Sequence, residues 1–154
     1  MNTILQQPIR RAAVAASLLL WASIGCAGSA DEEANKRLVL AFQERVLNGK
    51  DADVAAQYVA EHYVQHNPRV PDGLAALQRF VRELRQSSPD ASSSVKRVVA
   101  EGDLVVLHSH LKRNKDDRGM ALVDIFRVEN GKLVEHWDVM QPVPETAANA
   151  NGMF

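Results

Sequence analysis

Apolar residues recur at three- and four-residue steps over 31–48, where Leu38, Val39, Phe42 and Val46 form one stripe behind an acidic start and ahead of Asn48-Gly49. That spacing predicts an amphipathic helix. Asp51 can cap a shorter helical turn carrying Val54, Ala55 and Tyr58. Residues 63–68 read as extended, because Pro68 keeps its predecessor out of the α region. From Asp72-Gly73 a further helix carries Leu74, Leu77, Phe80, Val81 and Leu84 on one face, with Arg79, Arg82, Glu83 and Arg85 towards water. Residues 87–94 form a polar linker containing Pro89.

Beyond the linker the period shortens to that of strands. Strands are predicted over 95–100, 104–112, 120–128 and 132–140, with turns at Glu101-Gly102-Asp103 and Asn130-Gly131. Helices that precede a consecutive meander imply an α+β domain, in which the helices cover one face of a four-stranded antiparallel sheet. The tail 141–154 is irregular, and Met153 and Phe154 are expected to tuck against the body.

The amino-terminal end has a different character. Arg10 and Arg11 precede an apolar run over 12–24, and Gly28-Ser29-Ala30 offers small residues for cleavage. This predicts a signal peptide over 1–30, a mature domain over 31–154, and a periplasmic or secreted location. The run is too short for the roughly 20 residues a membrane span needs, so no membrane span is expected. Lipidation at Cys26 is the competing reading, although Ser23 stands where a lipoprotein signal usually has Leu. Cys26 is the only cysteine, so the mature domain is held by its core, without disulfides. A core this small is marginal once a cavity is hollowed out of it, which makes a homodimer the expected assembly.

Eighteen basic residues against nineteen acidic give a net charge of −1, too little field to gather nucleic acid. No P-loop, dinucleotide-binding glycine pattern, nucleophile elbow or paired-cysteine metal motif occurs. The chemistry expected is therefore that of pocket side chains, with no cofactor.

Strand parity indicates which polar groups converge. A two-residue turn at Asn130-Gly131 would pair Glu129 with Lys132, Val128 with Leu133, Phe126 with Glu135 and Asp124 with Trp137. His136 and Asp138 would then lie on the opposite face. Asp124, among Val123, Ile125 and Phe126, is the leading catalytic candidate, because apolar neighbours raise a carboxyl pKa towards the range useful in proton transfer. A structural carboxylate, hydrogen-bonded by a loop or an arginine, is the alternative.

His108 and His110 project from one face, a spacing that suits acid/base work or a metal with a third ligand among His66, Asp124 and His136. His66 and Asn67 sit where an extended segment meets a loop, near Tyr63 and Gln65, and suit a cleft or a capped turn equally. Tyr58, His62 and His136 have no distinguishing neighbours, and the charged run over 112–118 reads as a solvated loop.

The phrases YVQHNP, EGDLVVLHSHL, VDIFRVENGKLVEHWDVMQPVPE and the terminal NGMF resemble the SnoaL-like proteins over roughly 38–154. The resemblance implies the nuclear transport factor 2-like cone, a curved antiparallel sheet wrapped against helices around an internal pocket. It implies an acidic pocket residue working on an enolisable carbonyl compound, as in polyketide cyclases and ketosteroid isomerases, and Asp124 resembles the pocket Asp ahead of the glycine turn. The isomerases carry a carboxylate near the segment matching His66 and Asn67, so isomerase activity is not implied. On this view a neutral His66 or His108 is the base and protonated Asp124 the hydrogen-bond donor, in a pocket with Tyr63, Asn67, His110, Phe126 and Trp137. A non-catalytic binding or dimerisation module and a metal enzyme built on His108 and His110 are the competing readings.

Overall fold

A computed structural model describes residues 27–154. The predicted cleavage signal falls largely outside the described residues. Helix α1, Ala27–Phe42, runs continuously across Ala30 and widens into a π-helical segment, Gln43–Asn48. The widening ends where the Gly49 amide reaches back five residues to the Glu44 carbonyl at 2.8 Å. A Cβ at Gly49 would stand 2.6 Å from the Arg45 carbonyl oxygen, so only glycine fits. Val39, Phe42, Gln43 and Val46 are buried along one side of this helix.

Asp51 caps the next turn as its sequence suggests: its Oδ1 accepts the amides of Asp53 and Val54 at 3.1 and 3.3 Å. The 3-10 turn Asp53–Gln57 leads into strand β1, Val59–Gln65, which is followed by helix α2, Leu74–Ser87. Strands β2, Ser92–Glu101, β3, Leu104–Lys112, β4, Met120–Glu129, and β5, Lys132–Pro142, form the meander. The sheet has five strands in the order β1-β5-β4-β3-β2, with β1 parallel to β5 and every other pair antiparallel. Helix α1 crosses β2 and β3, while α2 lies against β1. The core between helices and sheet centres on Phe42, Tyr63, Val81, Leu107, Phe126 and Leu133.

Two departures from the expected elements have physical causes. The sheet gains a fifth strand because residues 59–65 dock on the edge of β5, where Val59 pairs with Leu133 and Gln65 with His136. Glu61 and His62 are both exposed in that strand, where the register is irregular between Val59 and Val64, and this hides its alternation. Strand β2 starts at Ser92, inside the supposed linker. There Asn48 acts as a substitute ladder partner, its Oδ1 accepting the Ser93 amide at 2.8 Å and its Nδ2 donating to the Ser93 carbonyl at 3.0 Å.

The turn at Asn130-Gly131 forms as expected, with both residues at positive φ, 51° and 71°. Its first two pairs, Glu129 with Lys132 and Val128 with Leu133, match the predicted register. The register then slips, because Arg127 pairs with Glu135 and leaves Val134 as an extra residue in β5. Phe126 consequently faces His136 instead of Glu135, and Asp124 faces Asp138 instead of Trp137. Leu133 and Val134 are both buried, the signature of a strand changing which side it presents.

Deleting Val134 would restore even pairing and swap the faces of every later residue in β5. The deletion is expected to cost more than about 4 kcal/mol in urea denaturation, through burial of Glu135 and exposure of His136. A loss below about 1 kcal/mol would show that the bulge does not set these faces.

Candidate functional site

The slip in β5 assembles the site. Asp124 and Phe126 from β4, His136 and Asp138 from β5, and Tyr63 and Gln65 from β1 all line one cavity of about 280 Å³. Its walls are otherwise mainly apolar, with Phe42, Leu77, Leu84, Leu111 and Leu122 contributed by both helical segments and the sheet. Phe126 stacks on the His136 ring at 4.7 Å between centroids, and Tyr63 flanks it at 6.4 Å.

A chain of hydrogen bonds runs through the imidazole. Gln65 Oε1 accepts the Asn67 backbone amide at 3.0 Å, which identifies it as the carbonyl end of the side chain. His136 Nδ1 approaches the same oxygen at 2.8 Å and so must carry a hydrogen. His136 Nε2 faces Asp124 Oδ1 at 3.1 Å, with one proton to be shared between them. Asp138 joins from the side, its Oδ2 accepting from Asn67 Nδ2 at 2.6 Å.

Burial pushes the Asp124 pKa up, because charge is costly without water; the hydrogen bond and charge of His136 oppose the rise, and the nearby Asp138 adds to it. Asp124 Oδ2 is buried and has no protein partner. Burial, together with the charges of Asp124 and Asp138, raises the Tyr63 phenol well above its ordinary value, so Tyr63 remains an O–H donor at neutral pH. Donor atoms of Asp124, His136 and Asp138 lie within 4.8 Å of one another, close enough to hold a cation. Both imidazole nitrogens and Asp138 Oδ2 are already engaged in hydrogen bonds. The arrangement is thus a proton-sharing network, which a cation would have to open.

Of the residues singled out from the sequence, Asp124, Tyr63, Asn67 and Phe126 line this cavity. His66 does not. It lies on the outer side of the sheet, stacked on Trp137 at 4.6 Å and 3° and bonded to Glu135 Oε1 at 2.9 Å. Trp137 is turned outward by the same slip that brings His136 in. His108 and His110 also face outward, because the buried residues of β3 are Val105, Leu107 and Ser109. Their rings stack on Phe154 at 5.6 and 4.2 Å, which confirms the expected tuck of the tail. His108 Nδ1 accepts from Arg97 at 3.0 Å and His110 Nε2 donates to the Arg118 carbonyl at 2.7 Å, so these nitrogens are not free to ligate a metal. His136 and Asp138, which regular pairing puts on the face away from Asp124, and Gln65, noted only as a neighbour of His66, are the site residues whose part the sequence did not reveal. The adjacent apolar pair Leu133-Val134, which breaks the alternation of β5, was the available signal.

The SnoaL-like domain model matches residues 39–136, from the buried half of α1 to the imidazole of the site. The chain belongs to the SnoaL-like domain family. TsrD from Streptomyces laurentii has a similar fold, with 24% identity and a TM-score of 0.60 over 71% of this chain and 90% of TsrD. A candidate polyketide cyclase from Acidithiobacillus ferrooxidans is 18% identical, with a TM-score of 0.61 over 70% of this chain and 87% of its own. A nuclear transport factor 2-like protein of unknown function from Cytophaga hutchinsonii gives 18% identity and a TM-score of 0.59 over 70% and 90%. No curated protein matches the chain. These likenesses establish the expected nuclear transport factor 2-like cone, and the matched region of this SnoaL-like domain contains both Asp124 and His136.

The raised pKa of Asp124 has a signed consequence for stability. The folded state favours the neutral carboxyl, so stability is lost as pH rises from the unfolded value, about 3.9, through the raised folded value. Wild type measured against Asp124→Asn by urea denaturation from pH 4 to pH 7 is expected to lose stability relative to the variant as pH rises. An opposite or flat difference would show that His136 neutralises the carboxylate completely.

Proposed function

We propose that this SnoaL-like domain is an exported acid/base catalyst for a small enolisable carbonyl compound, with Asp124 and His136 as its proton-handling pair. The carrying observation is the asymmetry of Asp124: Oδ1 is tied to His136, whereas Oδ2 is buried without a partner in an otherwise apolar cavity. An oxygen held this way is poised to take a proton from the carbon next to a carbonyl while the proton on the Oδ1 side passes to His136 Nε2. As that C–H bond breaks, its electrons move into the enolate and the proton passes to Oδ2. Tyr63, still protonated, can donate to the developing enolate oxygen. Gln65 keeps the His136 hydrogen on Nδ1 and so leaves Nε2 to share the Asp124 proton. Returning the proton to another carbon gives isomerisation, and attack of the enolate on a second carbonyl gives aldol cyclisation. The base is thus Asp124 supported by His136, in place of His66 or His108.

With a panel of cyclic and acyclic ketones, Asp124→Asn and His136→Phe are expected to lower turnover by roughly 10²–10⁴-fold, while His66→Ala and His108→Ala stay within about twofold of wild type. Equal turnover in all four variants would sink this assignment. Ligand binding to wild type without any turnover would favour the binding-module reading, which the same cavity supports.

Export and dimerisation belong to the same proposal. The outer face of the sheet presents an apolar row, Val99, Val106, Ile125 and Trp137, with Val139 in the next row. Val99 and Val139 are 61% and 67% exposed, a patch that suits self-association about a two-fold axis. Protein recovered from a bacterial periplasm is expected to begin at residue 31 by mass spectrometry and to sediment as two chains, with Val139→Glu reduced to one. Full-length chain confined to the cytoplasm would refute export, a diacylglyceryl group on Cys26 would replace cleavage after Ala30, and a wild-type monomer would refute the assembly.

A further inference from the structure

The cavity has a second polar end that the proposed chemistry leaves unused. Gln43 and Ser93 line it, are only 3% and 7% exposed, and present Gln43 Oε1 and Ser93 Oγ without a protein partner. Leaving a buried polar group unpaired costs about 1–3 kcal/mol, so such atoms in a cavity wall mark where a ligand's polar group belongs.

The two oxygens share one end of the cavity for a structural reason. Gln43 opens the π-helical segment and Asn48 closes it, five residues later, which in a helix bonded from i to i+5 places them about one turn apart on the same side. Asn48 holds both the amide and the carbonyl of Ser93 with its side chain. The backbone of Ser93 is therefore satisfied by the helix that carries Gln43, and its hydroxyl is the group left over. Ser93 pairs with Leu111 and Leu111 with Met120, four residues before Asp124 and two strands away. On a sheet that offset is on the order of 15 Å. Between the two ends the wall is apolar, with Phe42, Leu111 and Leu122.

We infer that Gln43 and Ser93 form a distal subsite for a ligand hydroxyl, so that the compound worked on at Asp124 carries its carbonyl at one end, an alcohol or phenol at the other and an apolar body between. This deepens the acid/base reading and rests on it. The chemistry selects a hydroxyl over other polar groups: an amide oxygen only accepts, whereas a serine hydroxyl both donates and accepts. One ligand O–H can donate to Gln43 Oε1 while accepting from Ser93, satisfying both. With Gln43 Oε1 turned to the cavity, as it stands, an ether or ketone oxygen would leave that oxygen unpaired, and an ammonium would leave the Ser93 hydrogen without an acceptor.

The test compares 4-(4-hydroxyphenyl)cyclohexanone with 4-phenylcyclohexanone, binding to the full protein being measured by calorimetry independently of turnover. Wild type is expected to bind the phenol about tenfold more tightly, the yield of one well-satisfied hydrogen-bonding site. In the Ser93→Ala/Gln43→Leu double variant the ratio should fall to within about twofold. Because each substitution removes an unpaired buried oxygen, the ligand-free double variant is expected to melt no lower than wild type, so a collapsed fold is distinguishable from a lost subsite. Equal affinity of wild type for both ketones, or a preference that survives the double substitution, overturns the subsite alone. Failure of both ketones to bind wild type overturns the subsite together with the carbonyl-pocket reading.

Discussion

The contact between Asp124 Oδ1 and His136 Nε2, at 3.1 Å, joins two titratable groups that a sheet of regular register would have placed on opposite faces. It exists because β5 carries one residue more than β4 between the hairpin turn and the site. A strand alternates its side chains with a period of two, so a single insertion changes the face of everything beyond it. Val134 therefore decides that the cavity receives His136 and Asp138, and that Trp137 and Glu135 look outward. Strand β1 completes the arrangement from the other side of β5, since Gln65 pairs with His136 and supplies the oxygen that fixes its tautomer.

The energetic character of the cavity follows from that geometry. Its walls are apolar enough to penalise charge, yet Asp124, Gln43 and Ser93 keep unpaired oxygens in them. A core built only for stability would have filled those positions with aliphatic side chains. The domain tolerates the cost because Phe42, Leu107, Phe126 and Leu133 form a continuous core beside the cavity. The π-helical segment contributes in the same sense: its extra width turns Gln43 inward next to Phe42, and its last residue, Asn48, clips the start of β2 to the helix.

Local signals carried most of the architecture. The stripe of α1, the cap at Asp51, the stripe of α2, the three turns of the meander and the tuck of Phe154 were all legible, as was Asp124 as a buried carboxylate. The histidines were not. His66, His108 and His110 drew attention through their neighbours in the chain, and all three lie on the outer side of the sheet, where stacking and hydrogen bonds engage them. His136 had no local mark, because what distinguishes it is a ring packed on Phe126 and a bond to Gln65, which lies 71 residues away.

The sequence by itself determined the two long helices, the four strands of the meander, the Asn130-Gly131 turn and the family, since periodicity, capping and positive-φ turns are properties of a few adjacent residues. Only the tertiary structure decided which polar groups meet. That outcome depends on strand parity after a one-residue slip and on a parallel pairing between β1 and β5 across the length of the domain. Parity reverses with a single residue, and long-range pairing leaves no periodic trace in the chain, so neither can be read from neighbours alone.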